Sequence, residues 1–216
     1  GVRIKRYQEL FDSCIVREQD LLISAAQQGR IDFSNFGVIN MLNTKYFLYG
    51  DNASDIISNS EANGNAWFVK EVMKVNSPND ELTKVAEVNT KAIAVVDDSK
   101  FKVSDFKFDS LGQINLTDAK PPYLKYESES SVNSLAVFSE IYYPKGWHAF
   151  IDGKEVFILR VDYVLRALEV PEGKHIIEFK FEPKPYIIGN KITMASSWLL
   201  VLVVIGCLGL SLREES

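Results

Sequence analysis

Residues 192–212 read ITMASSWLLVLVVIGCLGLSL, and none of these 21 residues is charged. A helix rising about 1.5 Å per residue would carry such a run across roughly the 30 Å hydrocarbon core of a bilayer. Eleven of the residues are Leu, Ile or Val, and no Lys, Arg, Asp or Glu opposes their insertion. The run predicts a transmembrane helix over 187–212, with Trp198, Lys191 and Arg213 as interfacial anchors. A fully buried core helix is the alternative, but a domain this small rarely surrounds so long an apolar segment. Gly206 and Gly209 lie three apart and miss the four-residue spacing of small-residue helix packing.

The remainder reads as folded protein. The 216 residues hold 24 Lys+Arg against 29 Asp+Glu, with 46% hydrophobic and 12% aromatic residues. That balance excludes a disordered chain, and the absence of a basic block argues against nucleic acid as a partner. Cys14 sits in a helical pattern and Cys207 in the apolar run, so the two predict no disulfide. No CxxC or HExxH occurs and the histidines are His148 and His175 alone, so no metal site and no cofactor is expected. The chain opens on Gly1 with no basic, apolar and small-residue leader behind it, which suggests a segment of a longer protein. Lys174, Lys180, Lys184 and Lys191 before the run against Arg213 after it would by charge alone put the globular part in the cytoplasm.

Residues 3–28 carry Ile4, Tyr7, Phe11, Cys14, Ile15, Leu22 and Ala25 at helical spacing, an amphipathic helix broken near Gly29. A short capped helix is expected within Asp32–Leu42, a strand at Lys45–Tyr49 and a loop over 50–65. Strands are expected at Trp67–Val75, Ala92–Val96 and Phe101–Phe108, with a helix opening at SPNDEL between the first two. From Leu135 to Pro183, short apolar stretches alternate with PKG, DGK and PEGK turns, the pattern of an antiparallel sandwich. Asp152-Gly153 marks a tight hairpin, and His175, Ile177, Phe179 and Phe181 share the buried face of the last strand. The fold class is thus α+β. An amphipathic helix and small α+β unit occupy 1–120. An antiparallel β-sandwich over 121–186, open to sharing a sheet with preceding strands, leads into the transmembrane helix.

Few residues suggest chemistry. Asp97-Asp98 follows the apolar stretch AIAVV, where an exposed turn ending a strand is the commoner meaning than an acid/base pair. Tyr142, Tyr143, Trp147 and His148, gathered around Pro144-Lys145-Gly146, could offer ring faces and polar groups to a sugar, or could plug one end of the sandwich. Asn52-Ala53-Ser54 and Asn115-Leu116-Thr117 match the glycosylation sequon, a short pattern that recurs by chance.

Three longer stretches are more specific. INMLNTKYFLYG at 39–50, NGNAWFVKEV at 63–72 and EIYYPKGWHAFIDGKEVFILRVDYVLRALEVPEGKHIIEFKFEP at 140–183 resemble the carboxyl-terminal part of YfhO-type bacterial membrane proteins, in their Bacteroides-like branch. The resemblance implies a multispanning protein of the bacterial cytoplasmic membrane, similar in fold to glycosyltransferases that use lipid-linked sugars. It implies a role in glycosylating cell-envelope polymers, lipoteichoic acid among them in characterised relatives. In such enzymes the catalytic carboxylate lies in the first extracytoplasmic loop, so the resemblance assigns no catalytic residue here. It places the globular part on the extracytoplasmic side, against the local charge count. The expected partners are the lipid bilayer, the rest of the same polytopic chain, and a lipid-linked sugar or envelope glycan. The alternative is a membrane-anchored sandwich that binds glycan or protein with no enzymatic activity in its parent. A soluble hydrolase centred on Asp97 and Asp98 is a third reading.

Overall fold

The computed structural model describes residues 4–50, 52, 55–183, 189 and 192–205. The first helix is continuous but changes pitch: α1 (Lys5–Leu10) passes through a π-helical turn at Phe11–Ile15 into α2 (Val16–Gln27). The turn buries Cys14 and Ile15 beside Leu10. The helix stops at Gly29, whose φ of +64° is open to glycine without strain. There the Gly29 N–H donates to Ala26 and the Arg30 N–H to Ala25, a Schellman closure. A 3-10 turn (Phe33–Asn35), capped by the Asp32 carboxylate, precedes α3 (Gly37–Met41).

The α3 helix has no local side-chain cap, and α2 supplies one from a distance. Glu18 is buried, and its carboxylate accepts the Val38 N–H at 3.1 Å and the Ile39 N–H at 2.8 Å. Burial raises its pKa while the two backbone donors oppose the rise.

A two-stranded ribbon follows, β1 (Tyr46–Leu48) against β2 (Ile56–Ser58). The second strand lies in the stretch expected to be a loop, because one ladder of three pairs needs little apolar sequence. The expected strand Trp67–Val75 divides at Val69 and Lys70 into β3 (Ala66–Phe68) and β4 (Glu71–Val75), which join different sheets. β4 pairs in parallel with β5 (Ile93–Asp97) across α4 (Pro78–Val85), a βαβ unit. Ser77 caps α4, accepting the Asp80 N–H at 3.1 Å, and Pro78 occupies the first turn. Phe101–Phe108, expected as a strand, is extended without a ladder.

Two antiparallel sheets form the sandwich. The outer one orders β10 (Lys154–Val156), β9 (Trp147–Ile151), β13 (Gly173–Phe181), β7 (Tyr123–Ser130) and β6 (Gln113–Lys120). The other orders β11 (Leu159–Val161), β12 (Leu165–Val170), β8 (Ser134–Ile141) and β3. Glu127–Asn133 is polar in composition, yet Glu127–Ser130 forms the second half of β7, where Ser128 and Ser130 point inward beyond Leu124 and Tyr126. Asp152 and Gly153 both take positive φ between β9 and β10, the expected hairpin turn.

Between the sheets Tyr126, Phe138 and Phe179 meet edge to face, at 4.9 Å for Tyr126–Phe138 and for Phe138–Phe179. The reverse face of the four-stranded sheet is covered as well. Leu135, Val137, Leu165 and Ala167 pack there against Leu10, Met41, Val85 and Val95. The uncharged carboxyl-terminal run is helical over 192–205, with its apolar side chains exposed. No described helix is long and apolar enough to cross a membrane, and residues 187, 188, 190, 191 and 206–212 of the expected span lie outside the described residues.

Removing the Glu18 carboxylate strands two buried N–H groups of α3. Glu18→Ala should therefore lower unfolding free energy by about 1–3 kcal/mol in a chemical denaturation curve, and an unchanged midpoint would remove the capping role.

Candidate functional site

The strand directions give the sandwich two unlike ends. At one, the β6–β7 turn (Pro121, Pro122), the β8–β9 loop (142–146) and the exit of β13 come together. Backbone hydrogen bonds lace them: Phe181 N–H to Pro122 at 2.8 Å and Glu182 N–H to Gly146 at 2.6 Å. A Cβ on Gly146, at φ +102°, would stand 2.9 Å from the Phe181 ring, so the loop requires glycine there.

This end holds the residues singled out from sequence, but they do not share a face. The Trp147 ring points between the sheets, 5.2 Å from Phe181, with the Arg166 guanidinium 4.2 Å above it. His148, next on β9, points outward and meets Glu155 at 2.7 Å. Tyr142 packs into the core on the reverse face of the four-stranded sheet, its ring 5.7 Å from Phe101. Tyr143 is exposed. Phe157 joins them from the β10–β11 link, its ring 6.3 Å from Phe101 and 71% exposed.

Arg166 is the residue that sequence reasoning missed. It is 3% exposed as the second residue of β12, donates from Nε to the Ile141 carbonyl at 3.1 Å, and has no hydrogen-bond partner at Nη1 among the described residues. Burial lowers its pKa to about 10 and raises that of Glu140, which faces it. The signal was present as an arginine inside the apolar stretch YVLRALEV, where a buried cation needs aromatic faces or a carboxylate.

Behind the same end lies a buried ionic cluster. Glu81 of α4 accepts from Arg160 at 3.0 Å, from Arg6 at 3.2 Å and from the Tyr163 N–H at 3.2 Å. Arg6 also stacks 4.5 Å from the Tyr163 ring, and the Tyr163 hydroxyl donates to Glu9 at 2.5 Å. Burial pushes the Glu81 pKa up and the two guanidinium groups push it back. Asp97, expected at an exposed turn, is fully buried, with Oδ1 accepting from Ser99 and Oδ2 3.9 Å from Arg160. Its neighbour Asp98 does reach the surface, paired with Lys102 and Lys74. Asp162 is also fully buried; Oδ1 accepts the Val95 N–H at 2.8 Å, and burial raises its pKa to about 8. Enclosed in this way, Glu81, Asp97 and Asp162 hold elements together inside the fold. Among the described residues no group of three or more His, Cys, Asp or Glu could hold a metal ion.

The opposite end gathers most of its polar side chains in a cleft, beside exposed Leu111 and Ile176. This cleft of about 480 Å³ is lined by Gln113, Asn115, Glu127, Asp152, His175 and Ile176, among others. His175 tops β13 hydrogen-bonded to Asp152 at 2.6 Å, which raises the imidazole pKa. Its amides, carboxylates and imidazole can exchange hydrogen bonds with a hydroxylated ligand.

The sequence profile of the family described as bacterial membrane protein YfhO matches residues 82–193. That is more than half of the chain and takes in the second half of α4, β5 and every strand from β6 to β13. No curated protein and no solved structure matches.

Two stability measurements test these assignments. Trp147→Ala removes a ring packed against Phe181 and Arg166, and should destabilise by about 3 kcal/mol; a loss under about 1 would free the ring for ligand. Asp162 holds its proton in the folded chain up to about pH 8, whereas the unfolded chain releases it near pH 4. Unfolding between those limits therefore releases a proton, and stability falls as pH rises, by about 1.4 kcal/mol per pH unit from this group. Asp162→Asn keeps an acceptor for Val95, so its stability relative to the parent should grow from pH 5 to 8; an equal pH slope in both would refute the buried neutral acid.

Proposed function

Since the chain belongs to the YfhO family of bacterial membrane proteins, we propose that it is the non-catalytic extracytoplasmic module of a multispanning protein that glycosylates an envelope polymer. The family match across the sandwich carries this reading. In it, the segment 187–212, which holds the uncharged run 192–212, is the last membrane span. The sandwich stands on the membrane by its aromatic end, and the polar cleft is turned towards acceptor or product in the periplasm. Of the two carboxyls that invite a catalytic reading, Asp97 is buried beside Arg160 and Asp98 is paired with Lys102 and Lys74, which supports chemistry elsewhere in the same polytopic chain, on a lipid-linked sugar.

A second reading keeps the anchor and drops the chemistry: the polar cleft binds glycan or protein and the parent catalyses nothing. The cleft's mixture of amides and carboxylates favours it.

Cysteine accessibility and envelope analysis test both. In intact cells, Lys154→Cys at the β9–β10 turn should react with a membrane-impermeant maleimide; labelling only after permeabilisation would overturn the extracytoplasmic placement. Disruption of the gene should strip a sugar from an envelope polymer. An unchanged envelope with external labelling would select the binding module.

A further inference from the structure

We propose that the aromatic end of the sandwich and the outer face of the β1–β2 ribbon rest on the surface of the bilayer, in the same membrane that receives the uncharged run. The proposal rests on the anchored reading above and names the face that meets lipid. Tyr46, Leu48 and Ile56 line the outer face of the ribbon, with Tyr46 69% and Leu48 62% exposed. Leu48 and Ile56 are paired directly across the ladder, so they form one apolar surface. Tyr143 and Phe157 add two exposed rings at the end of the sandwich. Apolar side chains grouped this way on one side of a domain mark a contact surface.

The ribbon belongs to that end. Phe47 of β1 lines a groove with Ile141 at the close of β8 and with Tyr7 and Phe11 of the first helix. Ile141 directly precedes Tyr142 and Tyr143.

Four observations select lipid as the occupant. The chain leaves β13 at Phe181, at this end, and the uncharged run begins at Ile192. Even fully extended, the connection from Pro183 holds the end within about 30 Å of the run. The exposed rings are accompanied by Lys145 and by Lys120, the latter paired with Asp118 at 2.8 Å, and aromatic and cationic side chains together suit a headgroup layer with anionic lipid. The distal end instead carries Glu127, Glu129, Asp152 and Glu172 against Lys154 and Lys174, the latter paired with Glu129 at 3.2 Å, an acidic excess that an anionic surface repels. The chain is also of a membrane protein family.

Nitroxide accessibility in vesicles tests this on the whole chain. In a Cys14→Ala, Cys207→Ser background, single Leu48→Cys, Phe157→Cys, Lys154→Cys and Leu200→Cys variants are spin-labelled. They are reconstituted in phosphatidylethanolamine with phosphatidylglycerol and relaxed by oxygen or by a water-soluble nickel chelate. Labels at 48 and 157 should show nickel accessibility at least threefold below that at 154, and the label at 200 should sit deepest. Nickel accessibility at 48 and 157 equal to that at 154, with 200 still in hydrocarbon, overturns the docking face and leaves the anchored reading intact. A water-exposed label at 200 removes both. Spin–spin broadening at 48 or 157 that vanishes on dilution with unlabelled chain makes the occupant a second copy and also overturns the proposal.

Discussion

Strand β8 has no side that meets water over its first five residues. Leu135 and Val137 project into one core, Ala136 and Phe138 into the other. A strand buried on both faces cannot alternate apolar with polar, and it requires a layer above and a layer below. That requirement fixes the order of the molecule: outer sheet, four-stranded sheet, then the helices with the parallel β4–β5 pair. Each outer layer needs only one apolar face, and the outward residues of β13 and β7 are accordingly charged or polar at Lys174, Glu178, Lys125 and Glu127.

Charges admitted to the interior sit where several elements must agree. Glu81 ties α4 to α1 through Arg6, to β11 through Arg160 and to the β11–β12 turn through the Tyr163 N–H. A buried carboxylate with one partner is a net cost, but three converging donors offset much of the desolvation. The same turn holds Asp162 and Tyr163 at positive φ, a conformation that non-glycine residues accept when the surroundings demand it. Here the demand comes from Val95, whose N–H and carbonyl are both taken by Asp162. Register between β5 and β11 is thereby set by a side chain where no ladder forms.

Elements whose local signals agreed with their environment were legible in the sequence. Ser77-Pro78 opened α4, Gly29 closed α2 and Asp152-Gly153 turned β9 into β10 because each acts through its own backbone. The failures were tertiary. β7 ends in Glu127–Ser130, which is polar in composition, and its pairing with β13 supplies the order that composition does not. Residues 101–108 have strand composition but no ladder forms along them. Trp147 and His148 are adjacent in sequence, and the pleat sends them to opposite faces of β9, which separates the rings that a linear reading had grouped. Arg166 needed the positions of Trp147 and Phe179 before its place in an apolar strand made sense.

The nine residues of β13 run from the polar end to the aromatic end. At about 3.3 Å per residue the strand is a stiff rod of roughly 26 Å, several times the depth of a headgroup layer, which is about 5–7 Å on each side of the hydrocarbon. On the bilayer docking proposed above, a ligand seated beside His175 would be held clear of the lipid, and the sandwich would act as a spacer that sets the height of that cleft.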